Sequence, residues 1–400
     1  SFPKSVDRYH NSISLSCCTR VVSSYVMCSS RQNKQLAATE SCGLSPTLIQ
    51  AKADFKHSSI AAWALVILCT SSFYLGPLFF LSPLLLYHFH PQAAGMLFCT
   101  SLFLAFHPIS PWPRFKTYCQ VFYKIFDFHH NMTPILNTKE MKSDHLSIIA
   151  MHPHAILPLH GYIWGAICHQ LLPDLYGCGA ATEIAMRLPV LRHTLRYLST
   201  RSADKKGLLQ QLQIEEENLF ILPGGVAEIF YSQRRRQPNS LPFTQTIKAK
   251  RYGLMKLSLQ TGARIFPAFV FGASDMLDQL FHVDQNVASK EKDSKTFDIG
   301  LMMQSISRKL KGGIALYYGQ YYLPIPHTPK LSMVLGDPIY PVENTSERNV
   351  NGNKLTCKRI ANPTDAQVEE LMDRYVNALQ CLFEQYKVEA GYPNDRLVIT

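Results

Sequence analysis

Three short stretches hold the residues best suited to chemistry. The first is Ile148-Ile149-Ala150-Met151-His152-Pro153-His154-Ala155, an apolar run ending in two histidines held one residue apart by a proline. An imidazole titrates at about 6.5, so it can take a proton from a hydroxyl and return it at neutral pH. Pro153 fixes its own φ and restricts His152, which presents both rings in one arrangement. By itself His-Pro-His is equally compatible with a structural role.

The second stretch is Leu219-Phe220-Ile221-Leu222-Pro223-Gly224-Gly225-Val226-Ala227-Glu228. An apolar run enters a Pro-Gly-Gly turn whose missing side chains let backbone N–H groups approach a ligand, and Glu228 could orient an imidazole or a substrate hydroxyl. The plain alternative is a strand-to-helix turn with a glutamate favourable to the helix dipole. The third is Lys248-Ala249-Lys250-Arg251-Tyr252-Gly253-Leu254-Met255-Lys256, whose cations could clamp a phosphorylated substrate. The Arg234-Arg235-Arg236 triplet is read as a solvated or membrane-facing run.

These stretches need elements to position them. From about residue 143 short apolar runs alternate with helical patterns, which predicts an α/β domain with its site at strand ends. The expected strands are Leu146–Met151, Leu219–Leu222, Arg264–Phe271, Ile314–Tyr318 and Leu331–Leu335. Helices are expected from about Ile156, over Glu183–Leu198, Asp204–Glu217 and Gln245–Gln260, and after Pro363-Thr364-Asp365. In that last helix Val368, Leu371, Met372, Tyr375, Leu379, Leu382, Phe383 and Tyr386 share one face, read as packing.

Upstream, residues 57–113 contain no Asp, Glu, Lys or Arg, and Ile60–Tyr87 is almost continuously apolar, long enough to span a bilayer. Pro77 and Pro83 predict a kink or interruption, and the shorter apolar run Ala93–Phe106 after a turn predicts a membrane hairpin over 58–111. Lys52 and Lys56 before it, and Arg114, Lys116 and Lys124 after it, place both flanks in the cytosol by the positive-inside bias. Phe115, Tyr118, Cys119, Phe122, Tyr123 and Phe126 then recur at helical spacing, so 112–142 reads as an amphipathic segment for a membrane surface, or equally as a helix packed on the domain. Residues 1–57, with eleven Ser and three acids, read as disordered and as a candidate targeting sequence, with Met27 an alternative start.

Over all 400 residues, 40 Lys and Arg outnumber 29 Asp and Glu, which favours an anionic partner. Only 17% are charged and 46% apolar, which excludes global disorder and sits poorly with a wholly soluble protein. The basic residues are dispersed, so nucleic acid is not expected as a partner. The eleven cysteines are scattered without a CxxC pair, so they are read as reduced thiols, and zinc-finger spacing is missing.

In this order the blocks resemble the type 2 diacylglycerol acyltransferase family, which embraces monoacylglycerol and wax-alcohol acyltransferases. His152–Ala155 is similar to the family's HPHG, Pro223–Glu228 matches its PGGVAE, and Arg251–Leu254 resembles its RKGF. Phe269–Gly272 with Asp275, Tyr318-Gly319 with Pro324–Pro326, Gly336–Ile339 and Asn362–Thr364 follow in the family's order. The resemblance covers about 143–400, and the preceding hydrophobic hairpin is similar too.

The resemblance implies a glycerolipid-acyltransferase-like mixed sheet with flanking helices in an integral membrane enzyme. Such an enzyme moves a fatty acyl group from acyl-CoA to diacylglycerol, without a metal or other cofactor. On that reading His154 is the base, His152 supports it, and Glu228 stabilises the imidazole or holds the acceptor. Pro223, Gly224, Gly225, Lys250, Arg251, Gly253 and Lys256 bind substrate, the glycines near the oxyanion and the cations near the coenzyme A phosphates. It implies the endoplasmic reticulum membrane or lipid-droplet surface, with a plastid envelope as alternative, membrane lipids as surroundings, and a homo-oligomer left open.

The chain departs from the family at Ala155, where a methyl group forces left-handed strain unless φ is negative, and at Tyr252, which removes a lysine. The tripeptide expected within Asp127–Asn137 is missing, and Tyr340–Ala361 carries a longer polar insertion. The weighed alternatives are a monoacylglycerol or wax-alcohol acceptor, an inactive membrane-tethered lipid-binding protein, and a metal-dependent hydrolase, which would need further His and Asp ligands at later strand ends. No GxSxG elbow supports a serine hydrolase.

Overall fold

The computed structural model describes residues 59–126, 129–132, 144–231, 243–281, 299–310, 312–313, 315–342, 347–348 and 354–400, all within one compact unit. The expected N-terminal targeting segment, the Arg234–Arg236 triplet and Ile314 lie outside those residues.

A mixed seven-stranded sheet organises the chain. Its strands are β1 (His129–Met132), β2 (Ser147–His152), β3 (Gly177–Ala181), β4 (Arg201–Ser202), β5 (Asn218–Ile221), β7 (Arg264–Phe271) and β10 (Ser332–Leu335), in the order β1-β10-β7-β2-β5-β3-β4. β7, β2, β5, β3 and β4 run parallel. β10 is antiparallel to β7 and parallel to β1, so the sheet takes a strand from before residue 143. The remaining short strands, β6 (Thr244–Ile247), β8 (Asp278–Gln279), β9 (Tyr317–Tyr318), β11 (Glu347–Arg348), β12 (Leu355–Thr356) and β13 (Arg396–Ile399), form three two-stranded pairs.

All six residues of β2 are buried, and their alternation divides the core. Ile149 and Met151 join the cluster under α5 (Leu159–Leu171). Ile148 and Ala150 join the opposite cluster, under α9 (Tyr252–Thr261) and α11 (Asp365–Tyr386). α11 starts at the capping box of Thr364 and Gln367 and buries the expected face from Val368 to Phe383.

Several expected elements change. Glu183–Leu198 yields only α6 (Leu191–Tyr197), because Pro189 restricts its predecessor and Val190 takes a left-handed φ of 64°. The run Asp204–Glu217 becomes α7 (Lys205–Leu209) and a π turn over Gln210–Ile214. Residues 245–247, expected in a helix, belong to β6, where β-branched Thr244, Thr246 and Ile247 pair with β13. The expected strand at 314–318 is only β9, paired with β8. β3 has no hydrophobic signature, because its neighbours demand small residues: a Cβ at Gly177 would lie 2.0 Å from the Asn218 carbonyl oxygen, and one at Gly179 2.5 Å from the Phe220 ring.

The apolar N-terminal run is α1 (Ser59–Leu86), followed by α2 (Pro91–Phe106). α1 passes through Pro77 and Pro83 without breaking. Pro83 has no N–H for the Phe79 carbonyl, and Ser101 Oγ of α2 donates to that oxygen instead, at 2.7 Å. Ile60–Leu86 is the described helix long and apolar enough to cross a membrane, and 28% of its most apolar window is buried. Its first half packs on the domain, with Ala62, Val66, Cys69, Thr70 and Ser72 buried, and at Gly76 its backbone presses on Leu188. Beyond Gly76, Leu78, Leu81, Leu84 and Leu85 are exposed, as are Met96, Phe98 and Phe103 of α2.

α3 (Pro113–Cys119) and α4 (Val121–Ile125) turn Phe115, Cys119 and Phe122 into the core beside Phe126, with α3 against α5 and α6. The aromatic residues read as candidates for a lipid face are thus largely spent on packing, although Tyr118 stays exposed. The other helices are α8 (Val226–Ile229) and α10 (Ile299–Leu310).

Candidate active site

β2 and β5 lie side by side and parallel, so their carboxyl ends bring His152–Ala155 next to Pro223–Glu228. Strand parity puts His152 on the α11 face. There its Nε2 lies 2.9 Å from Tyr375 Oη and its Nδ1 3.6 Å from Glu228 Oε1, with all three side chains fully buried. Burial, reinforced by the Glu228 carboxylate, pushes the Tyr375 phenol well above its usual pKa, so it keeps its proton and donates to Nε2. The proton of His152 then sits on Nδ1, facing the carboxylate rather than setting a lone pair against it.

Glu228 ties two loops together. Its Oε2 accepts the backbone N–H of His154, and its Oε1 accepts that of Lys248 at 2.8 Å. Burial raises its pKa, but His152 and these N–H donors outweigh that and hold the carboxyl below its usual range. The two glycines answer different demands. A Cβ on Gly224 would fall 2.2 Å from the Glu228 carboxyl carbon, so Gly224 is small for lack of space. Gly225 has room but adopts φ 54°, ψ −152°, a region essentially reserved for glycine.

His154 is half-buried, and its Nδ1 lies 3.0 Å from the carbonyl oxygen of Ala155. Nδ1 therefore carries the hydrogen and Nε2 the lone pair. Burial lowers the His154 pKa, with His152 and Arg251 adding to the drop and the Ala155 carbonyl and Glu228 opposing it. The ring is neutral at physiological pH and able to accept a proton. Ala155 adopts φ 58°, the left-handed strain foreseen for a methyl group there, at a cost of about 1–2 kcal/mol.

The cations separate. Arg251 donates from Nε to the Pro223 carbonyl at 2.9 Å and from Nη2 to the Gly224 carbonyl at 2.5 Å. In a trans peptide the N–H points opposite to the C=O, so this fork aims the N–H groups of Gly224 and Gly225 away from the guanidinium. Lys250 is exposed, Lys256 lies 3.4 Å from Asp365 at the start of α11, and nothing around Gly253 requires a glycine. The fold thus gathers His152, His154, Glu228, Pro223, Gly224, Gly225 and Arg251, while Lys250, Gly253 and Lys256 lie outside this set of contacts. Among the described residues no group of three or more His, Cys, Asp or Glu is placed to hold a metal ion.

Two participants escaped the sequence reading. Tyr375 was spent on packing, although a hydroxyl on a buried helical face needs a partner and was a signal to look for one. His160, fully buried in the first turn of α5, is driven to a pKa of about 3 by burial and by nearby His154, so it stays uncharged behind the site. A histidine in the otherwise apolar run from Leu159 to Ile167 was its signal.

Residues 89–400 match the family model described as diacylglycerol acyltransferase. The chain belongs to the diacylglycerol acyltransferase family. Among its relatives, acyl-CoA wax alcohol acyltransferase 1 of Mus musculus is 27% identical over 66% of this chain and 74% of its own length. Diacylglycerol O-acyltransferase 1 of Schizosaccharomyces pombe is 25% identical, covering 65% and 68%. 2-acylglycerol O-acyltransferase 1 of Bos taurus is 26% identical, covering 72% and 78%. No solved structure matches the chain. In diacylglycerol acyltransferase family terms, the match takes in all three chemical stretches and the whole of α2.

Proposed function

We propose that this protein transfers a fatty acyl group from acyl-CoA to the free hydroxyl of diacylglycerol, giving triacylglycerol and coenzyme A. The observation that carries the reading is the His154 ring, its Nδ1 3.0 Å from the Ala155 carbonyl, on a loop that Glu228 ties to the Pro-Gly-Gly turn clamped by Arg251. His154 Nε2 takes the proton as the hydroxyl oxygen attacks the thioester carbonyl. The N–H groups of Gly224 and Gly225 receive the developing oxyanion. Collapse forms the ester, breaks the carbon–sulfur bond and returns the proton from His154 to the departing thiolate. His152 and Glu228 hold the loops in register, with His152 fixed by Tyr375. Exposed Lys250 meets the nucleotide end of acyl-CoA.

Relatives named for diacylglycerol, 2-acylglycerol and wax-alcohol acceptors share the family, so family membership alone does not fix the acceptor. The exposed apolar tip of α1 and α2 supports a membrane hairpin that draws acceptor and product sideways from lipid, at the endoplasmic reticulum or a lipid-droplet surface. The test is transfer from labelled oleoyl-CoA in membranes lacking other neutral-lipid synthases, offering diacylglycerol, monoacylglycerol or fatty alcohol. Labelled triacylglycerol is expected, with a fall of at least about 100-fold in an equally expressed His154→Ala. Because the His154 pKa is lowered, the acid limb of the wild-type rate should fall below the ordinary imidazole value of 6.5. A different labelled ester moves the acceptor, and an unimpaired His154→Ala removes the base assignment.

A further inference from the structure

Residues Gln320–Leu323 form a tight turn, with the Leu323 N–H on the Gln320 carbonyl at 3.0 Å and the Gly319 N–H on the Leu323 carbonyl at 2.7 Å. Its two central residues are Tyr321 at φ 57° and Tyr322 at φ 59°. Two consecutive left-handed residues define the turn type that favours Asn-Gly, and aromatic side chains are poor choices for it. Neither ring is buried: Tyr321 is 82% exposed, and Tyr322, although it stacks on Tyr318 with ring centroids 5.2 Å apart, is 84% exposed. Disfavoured backbone that displays two rings to the outside points to something beyond the chain that the rings touch.

The place of the turn says what that is. Thr70 Oγ1 of α1 donates to the Pro324 carbonyl, the Tyr317 hydroxyl donates to the Thr70 carbonyl, and Tyr74 stacks on Tyr317 with ring centroids 4.5 Å apart. Thr70 and Tyr74 lie just before Gly76, beyond which Leu78, Leu81, Leu84 and Leu85 are exposed. At 1.5 Å per residue, Thr70 is only about 9 Å along the axis from that point. A tyrosine pair at this level matches the amphipathic ring and hydroxyl that settle where acyl chains meet headgroups.

We propose that the Tyr321-Tyr322 turn is an interfacial anchor, inserting its rings into the headgroup boundary of a phospholipid bilayer and fixing the depth of the domain beside α1. The inference rests on reading α1 and α2 as a membrane hairpin. It is tested with the full chain reconstituted in phosphatidylcholine vesicles containing brominated lipid, using Tyr321→Trp and, as hairpin reporter, Phe98→Trp in α2, each after subtraction of the wild-type spectrum. The expected result is blue-shifted emission at 321, quenched by bromine near the headgroups and shielded from aqueous iodide. Iodide quenching at 321 while 98 is quenched by bromolipid overturns the anchor alone and makes a protein partner the occupant. Iodide quenching at both overturns the hairpin reading with it. A second variant, Tyr321→Asn with Tyr322→Gly, installs the favoured turn pair. It should melt at higher temperature in detergent yet lose turnover several-fold on vesicle-borne acceptor, with micellar turnover unchanged. Undiminished vesicle turnover in that variant overturns the proposal.

Discussion

At the scale of single residues, Arg251 changes role most between sequence and structure. In the sequence it is one of three cations near Gly253; in the fold its fork is occupied by two carbonyls of the glycine turn. A phosphate ligand and a clamp on the turn predict different kinetics. Arg251→Lys keeps the charge but cannot span both carbonyls, so kcat should fall up to about 100-fold. The loss should be equal with oleoyl-CoA and with oleoyl-pantetheine, which lacks the nucleotide phosphates. A loss confined to oleoyl-CoA, appearing in KM, would return Arg251 to the phosphates. Glu228 shows a similar economy: one buried carboxylate holds the loop of His154 and the loop of Lys248, and its depressed pKa signals that both grips favour the anion. Its contribution to stability is therefore complete above the ordinary glutamate value of 4.5 and is lost as pH falls through the lower folded value.

At the scale of elements, β3 shows why some strands cannot be read from their own residues. Gly177-Cys178-Gly179-Ala180-Ala181 has no β-branched or aromatic signature, because β5 already fills the space with Asn218 and Phe220. Gly179→Ala should destabilise the fold by about 1–3 kcal/mol through overpacking. Phe220→Leu should recover part of that loss, a coupling that denaturant titration of the double mutant would show. The legible elements were those carrying their own signal: β2, β5 and β7 by continuous apolar runs, α11 by its face and capping box. Gln245–Ile247 misled because its strand character depends on β13, some 150 residues later. The site divides in the same way. His152, His154, Glu228 and the Gly pair announced themselves by local pattern, whereas Tyr375 acts across 223 residues of sequence. Local pattern cannot report such a contact until strand parity and the α11 face are known together.

At the scale of the whole molecule, the apolar surface is divided between a core and a protruding tip. The first half of α1 belongs to the domain, and its second half with α2 carries the exposed leucines and phenylalanines. On the membrane-hairpin reading, a helix so divided anchors the domain directly on the lipid surface instead of tethering it by a linker. Basic residues flank the pair on both sides, so epitopes at the two ends of the chain should be cleaved together by protease added outside sealed microsomes. Protection of the downstream epitope alone would replace the hairpin by a single crossing.

The bond from Tyr375 to His152 also sets a timetable. A ribosome adding roughly 5–20 residues per second needs about 10–45 s to pass from one partner to the other. Throughout that interval α1 and α2 have already emerged, while the histidine pair has no α11 to hold its register. On the membrane-hairpin reading, the nascent chain thus meets lipid well before its site is assembled.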